Sequence, residues 1–157
     1  MAKVVPIRAG KLQFISVNSR KATLFFVPVP SGTGKALLIF GAKVRSKNKI
    51  WWTPTLALSG QPLQRFVSRA GELADKGKGR VSFSSKKNGL FIKVTVKGSR
   101  ACFALGQRNR VFISLGLSAR NLGKLSRTLA SIKPRRQVEL PRPLTWRSKE
   151  AVFGPYV

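Results

Sequence analysis

The sequence predicts an α+β fold: two copies of one unit, four antiparallel strands followed by a helix, with the two four-stranded sheets packed together through the two helices. Three observations lead there. Short extended runs are separated by clusters of Gly, Asn, Ser and Lys. In each half an amphipathic helical pattern follows the fourth run. The two strand-to-helix junctions, "LALSGQPLQRF" and "LGLSARNLGKL", also align without a gap, so that Leu56 matches Leu115, Ser59 matches Ser118, Leu63 matches Leu122 and Phe66 matches Leu125.

The strands of the first unit are read at "LQFISV", "ATLFFVPV", "ALLIFGAKV" and "IWWTPTLAL". Ser59 then caps a helix, Pro62 suits its first turn, Leu63, Phe66, Val67, Ala70 and Leu73 recur at helical spacing, and Gly77 stops it. The second unit runs "RVSFS", "LFIKVTV", "ACFAL" and "VFISLGL", with Asn88-Gly89 as the turn between the first two. Ser118 caps "ARNLGKLSRTLASI", whose Leu122, Leu125, Leu129 and Ile132 form one apolar stripe. One domain over 1–132, made of repeats 11–77 and 78–132, is expected. The Pro/Arg-rich segment 133–157 has no period and reads as a tail.

Strand parity, fixed by the leucines that lead into each cap, sorts residues between core and surface. In the second unit Val111, Ile113 and Leu115 are expected inside, with Arg110, Phe112 and Ser114 outside. "LFIKVTV" buries Leu90, Ile92, Val94 and Val96 and presents Phe91, Lys93 and Lys97. In the first unit Ile50, Trp52 and Leu56 go in and Trp51 points out. "KALLIFGAKVR" buries Ala36, Leu38, Phe40, Ala42 and Val44 and presents Lys35, Lys43 and Arg45. The expected outer surface is therefore both basic and aromatic.

Composition narrows the chemistry. The 157 residues hold 31 Lys plus Arg against 4 Asp plus Glu, with no His, a formal charge of +27. So large a single-sign excess repels itself in the compact state unless a polyanion accompanies it. No run of about 18 apolar residues offers a membrane span, so nucleic acid is the expected partner. The start lacks the apolar core and cleavage site of a secretory signal, which points to an intracellular or viral setting. Without His there is no imidazole base or ligand. The single Cys102, in "ACFAL", reads as a small buried or half-buried filler. Glu72 and Asp75 read as surface pairing on a helix. The chain is expected to be no enzyme and to need no cofactor or metal.

The stretch "PSGTGKALLIF" resembles a phosphate-binding loop only superficially. Such a loop needs Gly five residues before the Gly-Lys pair, Ser or Thr after the lysine, and a following helix. Here those positions hold Val29 and Ala36, and the continuation is strand-like.

Within the duplicated order, "GKALL" at 34–38 resembles the "GKAAL" segment of the plant Whirly single-stranded DNA-binding proteins. The run "GKGRVSFSSKKNGLFIKVTV" followed by "NRVFISLGLSARNLGKLSRTL" is similar in order to the second Whirly repeat. That topology is shared with kinetoplastid mitochondrial guide-RNA-binding proteins and, more loosely, with PUR repeats. The resemblance covers residues 11–132 by topology and Gly34, Lys35, Ala36 and one leucine by motif. It implies two sheets with helices wedged between them, assembly into tetramers, and nucleic acid along the sheet edges and faces; a homo-oligomer, dimer or tetramer, is expected.

The expectation is thus a non-enzymatic protein that holds single-stranded RNA or DNA. Lysines and arginines meet phosphates, and exposed rings stack on unpaired bases. The candidate cations are Lys35, Lys43, Arg45, Lys49, Lys86, Lys87, Lys93 and Arg110; the candidate rings are Trp51, Phe91 and Phe112. The alternatives are that these rings lie beneath a neighbouring subunit or the tail, and that the chain is a structural component of a ribonucleoprotein, ribosomal or viral nucleocapsid. The tail is a candidate contact for other proteins.

Overall fold

The computed structural model describes residues 3–9, 12–20, 22–31, 34–46 and 49–131. Among them the chain runs β1 (Lys3–Ala9), β2 (Leu12–Asn18), β3 (Ala22–Ser31), β4 (Gly34–Ser46), β5 (Lys49–Trp52), β6 (Leu56–Ser59), α1 (Gly60–Lys76), β7 (Lys78–Ser84), β8 (Leu90–Lys97), β9 (Arg100–Gln107), β10 (Arg110–Ser118) and α2 (Ala119–Ser131). Both sheets are antiparallel. The first has the order β1-β2-β3-β4-β5 with β6 also paired to β4, and the second has the order β10-β9-β8-β7. Two antiparallel sheets, each followed by a helix, make an α+β fold.

The second sheet has the four strands expected, but the first has six. Strand β1, which the turn signals did not reveal, precedes position 11 and pairs along its whole length with β2. The run "IWWTPTLAL" is two strands rather than one. Pro54 has no N–H to donate, so the ladder breaks over residues 53–55. Thr53 clamps the break onto β4: its N–H donates to the Gly41 carbonyl (2.8 Å), and its Oγ1 accepts the Gly41 N–H (2.8 Å). The 13-residue β4 thus serves β5 with one half and β6 with the other. The prolines of "VPVP" fall where β3 has run past its last partner on β2, Ile15 opposite Phe26, so Pro28 takes no donor from that ladder.

The helices follow the sequence pattern closely. In α1, Leu63, Phe66, Ala70 and Leu73 are buried, and Gly77 ends it in the left-handed conformation with its N–H donating to the Leu73 carbonyl. Ser59 has the extended backbone of a cap, yet its side chain makes no capping bond. Ser118 does cap α2, its Oγ accepting the Asn121 N–H at 3.1 Å. The helices pack closely on each other: a Cβ on Gly71 would lie 2.9 Å from Ser126 Oγ, which donates to the Val67 carbonyl at 2.8 Å. Ile132 and the tail 133–157 lie outside the described residues.

One core gathers the inner faces of both sheets and both helix stripes, including Ile15, Leu24, Phe26, Leu37, Ile39, Ile92, Phe103, Leu105 and Leu115. The first sheet has a second apolar cluster on its other face. Phe14, Phe25, Val27, Phe40 and Ala42 are buried there, with Val29, Leu38, Ile50 and Trp52 packed against them. The Phe25 ring stacks on Phe40 at 5.2 Å and on Trp52 at 5.9 Å. Leu38, Phe40, Ala42, Ile50 and Trp52 therefore do pack inward, as expected, but away from the helices. Leu56, expected on their side, joins the main core instead because the break at Pro54 resets the parity.

The two sheets touch where β4 meets β10. Gly41 lies against the Ile113 Cδ1, and a Cβ there would also stand 3.0 Å from Leu24 Cδ2 and from the Thr23 carbonyl. Gly41→Val should lower the unfolding free energy by about 1–3 kcal/mol through overpacking. Urea denaturation would check this, with Gly116→Ala, whose added carbon would meet only the Ala101 carbonyl at 4.0 Å, as the mild control.

Candidate nucleic-acid interface

Register places four rows of side chains on the outer face of the second sheet, turned from the core. From one end these are Ser84, Phe91, Gly106 and Val111; Ser82, Lys93, Ala104 and Ser114; Arg80, Thr95, Cys102 and Gly116; and Lys78, Lys97, Arg100 and Ser118. The cations Lys78, Arg80, Lys93, Lys97 and Arg100 are all exposed. Around them the residues are small or hydroxylic, which leaves a low surface between the charges.

The last row is electrostatically strained. Lys78 stands opposite Lys97, and Lys97 opposite Arg100. Like charges directly across a ladder destabilise it, and the four rows of this face hold no acidic residue. The one ion pair among the described residues, Arg69 to Glu72 at 2.9 Å, is on α1. An anion laid over the row converts this repulsion into attraction.

The expected site residues fall into three places. Phe91 and Lys93 belong to the outer face, with Lys86 and Lys87 exposed on the β7–β8 loop at one end of it. That loop spans Ser85 to Gly89, longer than a two-residue turn, with Gly89 left-handed (φ 70°) and Asn88 Oδ1 accepting the Leu90 N–H. Phe91 is half-buried because its ring lies across Gly106, where a Cβ would sit 2.7 Å from Cζ. One face of the ring is thus already covered.

A second group meets at the seam between the sheets. Lys43, Trp51 and Phe112 were expected on an outer surface; all three are half-buried. Trp51 meets Phe112 edge to face at 5.1 Å. Lys43 lies over the Trp51 ring (Nζ to centroid 5.0 Å) and donates to the Phe112 carbonyl at 2.9 Å. Arg110, exposed, covers Phe112 at 5.7 Å. The register slips between Val111 and Ile113, leaving Phe112 unpaired. That bulge turns Val111, expected inside, to the surface at 52% exposure.

Lys35 is apart from both groups. It is half-buried on the helix side of β4, its Nζ donating to the Leu129 carbonyl at 3.0 Å near the end of α2. Lys49 is exposed at the start of β5, and the side chain of Arg45 lies outside the described residues. Lys35 and Lys43 face inward because Leu37 and Ile39, between them in parity, belong to the main core.

Of the face's cations, sequence reasoning selected Lys93 and placed Lys97 outside. Lys78, Arg80 and Arg100 were missed, since the runs read from the sequence begin at Arg80 and Ala101, later than β7 and β9 do, which leaves Lys78 and Arg100 outside them. Cys102, expected as a filler, is exposed in the middle of the face, its Sγ 3.4 Å from Ser114 Oγ. In "ACFAL" it is Ala101, Phe103 and Leu105 that point inward.

No family model, curated protein or solved structure matches the chain. No helix among the described residues is long and apolar enough to cross a membrane.

Two outcomes follow from this geometry. Lys97→Gln should raise the urea midpoint at low salt and change it little at high salt, because screening already removes the repulsion, while weakening polyanion binding. A double-mutant cycle of Trp51→Ala and Phe112→Ala should give a coupling of about 0.5–1.5 kcal/mol in stability, with both single variants less stable than the parent.

Proposed function

We propose that the chain is a non-enzymatic nucleic-acid-binding protein that takes single-stranded RNA or DNA across the outer face of its second sheet. The observation that carries this reading is the acid-free row Lys78, Lys97 and Arg100, with Arg80 and Lys93 beside it. Neutralising phosphates with such cations releases condensed counterions. The small side chains of Ser82, Thr95, Cys102, Ala104, Ser114 and Gly116 leave room for bases to lie flat between the charges, and Phe91 and Val111 offer apolar contact at one end. A duplex would present its phosphates but keep its base faces hidden.

The resemblance to Whirly proteins supports the same reading. It rests on two sheet-then-helix units in succession and on Gly34, Lys35 and Ala36. Lys35 here reaches back to α2 rather than out to solvent, so that motif contributes to joining the repeats. Assembly into a dimer or tetramer is part of the proposal.

A second reading has its own support. Arg120, Lys124 and Arg127 are exposed on α2, so positive charge is not confined to the sheet. A component that packages RNA inside a ribonucleoprotein would carry charge in this distributed way.

The test is titration with a labelled single strand and a duplex of equal length at several salt concentrations. Tighter single-strand binding is expected, and replacing Lys97 or Arg100 with Gln should lower the log–log salt slope by roughly 0.7 each. Equal or stronger duplex binding at matched salt would defeat the base-contact part of the proposal. Light scattering after nuclease treatment separates the two readings: a discrete oligomer favours the first, large RNA-dependent particles the second.

A further inference from the structure

A groove of about 910 Å³ lies between α1, α2 and the adjoining ends of β4 and β6, sharing no residue with the sheet face. Leu63, Val67 and Ala130 supply apolar surface. Gln64 and Ser68, one turn apart on α1, supply hydrogen-bonding groups. The charged residues lining it are Lys35 and Arg127, both cationic.

We propose that this groove binds a nucleoside phosphate, with the phosphate between Lys35 and Arg127 and the base over Leu63, Val67 and Ala130. Charge selects an anion, since among the described residues two cations and no carboxylate line the groove. The bond from Lys35 to the Leu129 carbonyl holds its ammonium beside the end of α2. Arg127 has no hydrogen-bond or ion-pair partner among the described residues, and a guanidinium is suited to the forked oxygens of a phosphate. Volume favours a ligand larger than inorganic phosphate, because the groove has the size of a site for an organic molecule. Polarity then selects the body. An alkyl chain would cover Gln64 and Ser68 without pairing them, whereas a base edge or a ribose can bond to both.

This site stands apart from the strand-binding face, so each can fail without the other. The experiment is methyl NMR of the full chain titrated with adenosine 5′-monophosphate, with inorganic phosphate as the comparison. Saturable shifts of Leu63, Val67 and Ala130 methyls are expected, stronger for the nucleotide. Arg127→Glu and Ala130→Trp, both at exposed positions, should each weaken binding about tenfold or more with the circular-dichroism melt retained; Arg127→Gln provides a milder version if the reversal disturbs folding. Lys97→Gln should leave this binding unchanged. Equal affinity for inorganic phosphate, shifts confined to the second sheet, or unaltered binding by both groove variants would overturn the proposal. Comparing 5′-phosphorylated and 5′-hydroxyl oligothymidylate identifies the source: preference for the phosphorylated end assigns the groove to strand termini, and no preference assigns it to free nucleotide.

Discussion

Strand β4 carries apolar side chains on both faces, and this double burial decides which of the two sheets keeps an open face. Leu37 and Ile39 enter the core shared with the helices, while Phe40 and Ala42 enter the aromatic cluster on the opposite side. Burial of this kind drives folding roughly in proportion to the apolar area removed from water. The middle strands of the first sheet are thus covered on both sides. The second sheet is buried on one face only. Its other face, where Lys, Arg, Ser and Thr stand among small residues, is open to solvent.

The charge distribution gains its meaning from that division. A like-charged row across β7, β8 and β9 works against its own ladder, and the buried Val96, Ala101 and Leu117 next to it on the inner face must hold the strands together regardless. Proteins that keep such an arrangement sacrifice some stability where a partner of opposite sign repays it. The seam cluster differs in kind. Lys43 is held by a carbonyl and a ring, and Trp51 and Phe112 by each other, so their first role is to join β4 and β5 to β10.

Much of this was legible in the sequence. Period-two alternation in "LFIKVTV" and the gapless junction alignment identified the second sheet, both helices and the inward set Leu90, Ile92, Val94 and Val96. What misled was the assumption that every strand has one wet face. "ATLFFVPV" and "ALLIFGAKV" are apolar at both parities, the mark of a strand covered on two sides, and assigning them a single inward set sent Lys35 and Lys43 to the wrong side. Pro54 inside "IWWTPTLAL" signalled a broken strand in the same way. The slip at Phe112 has no such marker, because a bulge depends on the facing strand: here on Gly106, where a Cβ would collide with the Arg110 carbonyl of the bulged strand.

The two halves of the chain, each a sheet followed by a helix, differ in how their sheets are covered. The first is a buttress locked from front and back, where nearly any exchange in β3 or β4 disturbs packing. The second is a deck fastened only from below, whose upper side chains can be swapped singly without loosening the frame. Exchanges on that deck can therefore change the charge it presents while the scaffold beneath stays fixed.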